Sequence, residues 1–142
     1  MQLVNPITFQ DATGSLTAAD TSEAVDIDSY RIVVIYLDIT TLTTADGDDE
    51  VDFYIQTTYD ESTWFDVENI HFANADNGTT PTKILVFDSH QSAAVVRDVT
   101  DGTLADDTKL DIPLGIKIRI KTAVTGATAP TYAYQAHGIK RN

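Results

Sequence analysis

The chain has 142 residues and no cysteine, and its 22 acidic residues against 9 basic ones give a net charge of −13. That length suggests one domain able to fold without a metal or cross-link. The missing cysteines exclude disulfides, zinc–thiolate sites and cysteine nucleophiles. The charge opposes contact with nucleic acid and with anionic membranes, both of which need cations to neutralise phosphates. No run of ~18 apolar residues could cross a bilayer. Met1 to Ser15 lacks the basic and apolar regions of a signal peptide. The expectation is a protein that acts in the cytoplasm or leaves it by assembly into a particle.

Met1 to Gln10 is apolar in places but has no helical period, and Pro6 fixes φ and removes a donor, so this segment reads as extended. Asp11 to Ser22, rich in Thr, Ala, Asp and Gly, reads as a loop. We therefore divide the chain into an extended arm and loop, 1–22, and a β-sandwich domain, 23–142. The arm either packs on its own domain or adds a strand to a neighbouring chain. In the second case Leu3, Val4, Pro6, Ile7 and Phe9 make the contact, and removing Met1 to Gln10 leaves the domain folded.

Ala24 to Ile27 is a short strand. Tyr30 to Thr41 is the strongest strand, apolar on both faces, with Ile32, Val34 and Tyr36 on one and Val33, Ile35, Leu37 and Ile39 on the other. Such a strand is central and covered on both sides, or part of an oligomer contact. In the acidic loop Thr44 to Glu50, Asp46, Asp48 and Glu50 alternate as calcium ligands would, but Gly47 is misplaced and no distal glutamate follows, so a solvated loop is the better reading.

Val51 to Asn69 reads as a β-hairpin. Val51, Phe53, Ile55 and Thr57 alternate with Asp52, Tyr54, Gln56 and Thr58, the period of a strand with one buried face. Tyr59 to Ser62 is the turn, and Thr63 to Val67 returns. Phe53, Ile55, Trp64 and Val67 are the expected hairpin core, with Trp64, the only tryptophan, contributing most area. Lys83 to Asp88 and Ala93 to Val99 are further strands. Thr100 to Gly115 is a polar excursion long enough to be a functional or partner-contacting loop. Ile116 to Ala123 alternates cleanly, with Ile116, Ile118 and Ile120 inward and Lys117, Arg119 and Lys121 outward. That basic stripe either guards an edge strand or docks an acidic neighbour. Thr131 to Ile139 is the last strand. About eight to ten strands at regular spacing, without a helix, indicate an all-β antiparallel sandwich, jelly roll or small barrel.

Nothing here marks an enzyme. His71, His90 and His137 stand in no metal-binding spacing, and no nucleophile elbow, P-loop or dinucleotide fingerprint is present. No catalytic, cofactor or metal residue is assigned, and no cofactor is expected. Tyr54, Tyr59, Trp64 and Phe65 could form a sugar-stacking platform, with an aromatic core as the simpler reading.

The hairpin resembles one found in small virion structural proteins of tailed bacteriophages, where a pattern close to Gln-Thr-Ser-x-Asp-Gly-x-Thr-Trp-x-Asp-Ile recurs. Gln56, Thr57, Asp60, Thr63, Trp64 and Asp66 match it, and Glu61 stands where glycine is usual. The resemblance extends from Tyr30 to Ile139, and its motifs are structural. It implies a capsid decoration (cement) protein on the outer surface of the virion, made in the host cytoplasm. Its partners would be the major capsid protein and copies of itself, with a trimer as one arrangement, without nucleic acid or membrane. The alternatives are a neck, head–tail connector or tail component, and a carbohydrate-binding or adhesion sandwich.

Overall fold

The computed structural model describes residues 4–44, 46–88, 98–126 and 130–142. Among the described residues, eight strands form two four-stranded antiparallel sheets, and one turn of 3₁₀-helix at Asn74–Asp76 is the only helical element. The strands are β1 (Val4–Gln10), β2 (Val25–Asp26), β3 (Ile32–Thr43), β4 (Glu50–Thr58), β5 (Trp64–Phe72), β6 (Thr82–Asp88), β7 (Lys117–Thr125) and β8 (Thr131–Arg141). The first sheet runs β1-β8-β3-β6 and the second β2-β7-β4-β5. The fold is an all-β sandwich. The expected strand at Ala93 to Val99 falls almost wholly outside the described residues.

The core lies between the sheets because each sheet turns its apolar face inward. Val33, Ile35, Leu37 and Ile39 of β3 face Val51, Phe53 and Ile55 of β4 and Ile118 and Ile120 of β7, all buried. Phe53 is its centre. It meets Phe72, Tyr132 and Tyr134 edge to face, with centroids 5.8, 5.8 and 5.2 Å away. A buried tyrosine hydroxyl needs a partner. Tyr132 donates to Ala18 O at 2.7 Å and Tyr134 to Asp20 Oδ2 at 3.1 Å, so the core tyrosines hold the 11–22 loop in place.

The segment expected as a separate arm is built into the sandwich. β1 pairs with β8 from Val4–Arg141 to Gln10–Ala136. Phe9 has no exposed surface, Ile7 is buried and Pro6 is exposed, while Leu3 lies outside the described residues. The loop after it bridges Leu16 to Tyr132 and Thr21 to Lys121. The boundary at residue 22 therefore does not separate two bodies. Removing Met1 to Gln10 would take Phe9 out of the core, contrary to the expectation of an intact domain.

The hairpin register slips by one residue between Ile55 and Gln56. Ile55 pairs with Glu68 and Gln56 with Asp66, which leaves Val67 without a partner. This bulge changes which side chains share a face. Trp64 and Asp66 before it, and Asn69 and His71 after it, all lie beside the outward residues of β4. Val67, Ile70 and Phe72 enter the core.

At the hairpin turn, Asp60 Oδ1 accepts from Ser62 N at 3.0 Å and Thr63 N at 2.7 Å, and Thr63 Oγ1 donates to Asp60 Oδ2 at 2.9 Å. Those bonds hold the Asp60 carboxyl well below the usual carboxylate range. Glu61 has φ +65°, the left-handed conformation that favours the glycine usual at this position.

Candidate functional site

The outer face of the second sheet is polar yet buried. β4 is covered on both sides: Asp52, Tyr54, Gln56 and Thr58 point away from the core and are buried too, Gln56 and Thr58 as fully as Phe53 and Ile55. The cover is the 98–116 excursion. It runs along the free edge of β5, with Asp66 N donating to Thr100 O at 2.8 Å, Asn69 N to Thr108 O at 2.9 Å and Leu110 N to Val67 O at 2.8 Å. The loop expected to contact a partner is thus fastened to its own hairpin.

Asp66 is the fastening point. It is fully buried, and its carboxylate accepts from Gln56 Nε2 at 2.9 Å, Thr100 Oγ1 at 2.7 Å, and Gly102, Thr103 and Leu104 N at 2.9, 3.1 and 3.2 Å. Successive backbone amides converging on one carboxylate form an anion nest, here filled by the chain's own side chain. Gln56 also donates to Asp101 Oδ1 at 2.8 Å and accepts from Arg119 Nε at 3.0 Å. The motif residues Gln56 and Asp66 are cross-strand partners whose side chains bond each other and the cover.

The basic stripe is engaged within the same cluster. Lys117 pairs with Glu61 at 3.1 Å, Lys121 pairs with Asp101 at 2.8 Å, and the Arg119 guanidinium lies 4.1 Å over the Trp64 ring. β7 lies between β4 and the short β2, so it is not an open edge. The expected docking stripe instead clamps the hairpin turn and the excursion.

Trp64 is not a core residue. It is half-buried on the outer face, under Arg119, because the bulge and the turn place it there. Phe53, Ile55 and Val67 are buried as expected. Losing a partly covered ring and one cation–π contact costs less than emptying a core site, so Trp64→Ala should cost about 1–2 kcal/mol. Urea unfolding followed by circular dichroism measures this, and a loss as large as that of Phe53→Ala would restore the core assignment. The sugar-platform residues do not share a surface: Tyr54 is buried, Trp64 lies under Arg119, and Tyr59 stacks on Phe65 at 5.4 Å.

Asp101 tests the cover. Hydrogen bonds from Lys121 first, and then Gln56, hold its carboxyl below the ordinary 3.8. A folded-state value below the unfolded one contributes stability that is present above pH 3.8 and lost as pH falls through the folded value. Stability of Asp101→Asn should therefore decline less steeply with acid than that of the parent. Equal slopes in urea melts at a series of acid pH values would refute this.

At the other end of the covered face, Asp52 on β4 lies opposite His71 on β5. His71 Nδ1 is 2.8 Å from Asp52 Oδ1 and 3.4 Å from Asp106 Oδ1 of the excursion. Asn69 Nδ2 donates to the same Asp52 oxygen at 3.1 Å. Burial pulls the His71 imidazolium down, but the Asp52 hydrogen bond and the charges of Asp52, Asp106 and Glu50 outweigh it, and the net shift is upward. Burial, then the charges of Asp52, Asp66, Asp106 and Glu50, push the Tyr54 hydroxyl up to about 12. Glu50 offers a donor oxygen to the Asp52–His71 pair. In the loop before it, Asp46, Asp48 and Asp49 form a separate acidic group, so the alternation of Asp46, Asp48 and Glu50 does not converge on one point. Sequence reasoning missed His71 because the bulge at Val67 sets its face.

The first sheet presents a different outer face. On β3 and β6, Tyr36 pairs with Ile84 and Val34 with Val86, and Ile139 of β8 lies on the other side of Val34. Tyr36, Ile84 and Val86 are 44%, 64% and 50% exposed. Of the two readings for the long strand, its position is central but its outer face is open.

No family model and no curated protein matches the chain. Among solved structures, it is similar to the SPBc2 prophage-derived protein YomS, at 12% identity and a TM-score of 0.42, over 100% of this chain and 96% of that one. It is also similar to a chain in the structure of infectious bursal disease virus Gx strain, at 18% identity and a TM-score of 0.43. That match covers 99% of this chain but only 33% of the other.

Proposed function

We propose that this chain is a non-enzymatic structural protein of a tailed-phage virion, a capsid decoration protein that binds the outside of the major capsid protein shell. The observation that carries the reading is the apolar outer face of the first sheet, with Tyr36, Ile84 and Val86 open on a chain of net charge −13. An apolar stripe on an acidic domain is a contact surface: charge keeps the free protein dispersed, and the stripe supplies burial on docking. The hairpin resemblance supports the phage setting, since its matching residues Gln56, Asp60, Thr63 and Asp66 build the turn and the fastening of the cover. Cementing relies on many modest contacts repeated by symmetry rather than on one strong interface.

The test is co-sedimentation of the purified protein with expanded shells lacking it. Saturable binding at hundreds of copies per shell, lost in an Ile84→Asp, Val86→Asp double variant, is the expected result. A few copies per particle would place the protein at the neck, connector or tail instead. No binding to particles, with retention on a glycan column, would establish an adhesion module.

A further inference from the structure

We propose that Glu50, Asp52 and His71 form a binding site for a divalent transition-metal ion, Zn²⁺ or Mn²⁺. Two carboxylate oxygens and an imidazole nitrogen from these residues lie within 4.8 Å of one another. Ligands on an ion with bonds of 2.0–2.2 Å are separated by at most about 4.4 Å, so small side-chain rotations bring the three onto one sphere. The strand pairing supplies the rigidity. Glu50 and Asp52 stand two apart on one strand, and His71 is the cross-strand partner of Asp52.

Two further observations point to a cation. Glu50, Asp52 and Asp106 surround the single imidazole, and no described lysine or arginine is ion-paired with any of them. Three carboxylates gathered around one imidazole exceed the single charge it can offer, and a divalent ion neutralises them more fully. Asn69, 1% exposed, gives its Nδ2 to Asp52 and to Leu104 O, while its buried Oδ1 accepts no hydrogen bond. That leaves one buried, unpartnered oxygen on a residue bonded to Asp52. The imidazole sets the preference: Ca²⁺ and Mg²⁺ take all-oxygen shells, nitrogen with carboxylates suits Zn²⁺ best, and Mn²⁺ is drawn mainly by the two carboxylates. Asp106 of the excursion lies 3.4 Å from His71 Nδ1 but outside the three clustered ligands, so the ion would be held by the hairpin strands themselves.

The experiment is titration of the chelator-treated full chain with ZnCl₂, MnCl₂ and CaCl₂ by calorimetry, with the histidine ring resonances followed by NMR. One ion per chain is expected, with Zn²⁺ or Mn²⁺ tighter than Ca²⁺. Zn²⁺, which is diamagnetic, should shift the His71 resonances and leave those of His137 in place. E50Q and H71Q should each weaken binding roughly tenfold or more, with H137Q as the unaffected control. Absence of saturable binding by the parent protein would overturn the proposal. So would Zn²⁺ binding that leaves the His71 resonances unmoved, which decides the matter even if a variant folds poorly.

Discussion

Replacing Asp66 by alanine should cost about 3–5 kcal/mol, because it strands several buried donors at once. The Gln56 amide, the Thr100 hydroxyl and the amides of Gly102, Thr103 and Leu104 all lose their acceptor. Their recovery of water requires the excursion to lift, which exposes Gln56 and Tyr54 of the buried polar face. Asp66→Asn should behave like the alanine variant, since its amide group turns one acceptor into a donor facing other donors. Equilibrium unfolding gives the free energy, and amide exchange at 102–104 shows whether the cover has opened. A loss within about 1 kcal/mol, with exchange at 102–104 unchanged, would mean that the excursion is held mainly by its backbone pairing to β5.

Gly138→Ala should be at least as damaging, by about 3 kcal/mol or more, for a steric reason. Gly138 lies on β8 opposite Ile35 of β3 and Ile7 of β1. A Cβ there would stand 1.9 Å from Val34 O and 3.0 Å from Val34 C, so the strongest strand pair of the first sheet would have to part. Glycine within a strand marks such a close backbone approach. Gly14→Ala is the control: nothing lies within 4 Å of its added carbon. Its effect should stay within about 0.5 kcal/mol. Thermal melts of the two variants compare them directly, and similar melting temperatures would refute the clash.

The strands were legible because alternation is a local property. β3, β4 and β7 each repeat every two residues, and that repeat dictates an inward face whatever the neighbours are. Which strands become neighbours is not local. Ile7 and Phe9 carry the same pattern whether they meet β8 of their own chain or a strand of another, and only the assembled sheet selects β8. The fastening of the excursion was not legible for a related reason. Its polar composition suits a solvated loop, and its anchor, Asp66, lies far off in sequence, so the bonds from Thr100, Gly102, Thr103 and Leu104 that hold it leave no local trace. The motif did carry a signal, since Gln56 and Asp66 both match it, but matching residues do not say what they hold. Trp64 was misplaced by the opposite error. A large aromatic residue beside an apolar neighbour suggests core, and the outward turn of its strand comes from the turn and bulge geometry rather than from composition.

The extra residue in β5 acts as a phase shifter. A strand has a reading frame of two, and inserting one residue inverts the frame for everything beyond it. Before Val67 the even-numbered positions look outward; after it the odd-numbered ones do. Deleting Val67 would close the ladder without changing its partners, with Gln56 still opposite Asp66 and Ile55 opposite Glu68. Asn69 and His71 would keep their outward places and Ile70 and Phe72 their inward ones, and the loss would be the buried Val67 side chain and the local bend. The bulge is what lets a strand whose apolar positions change parity at Val67 keep one inward face along its whole length.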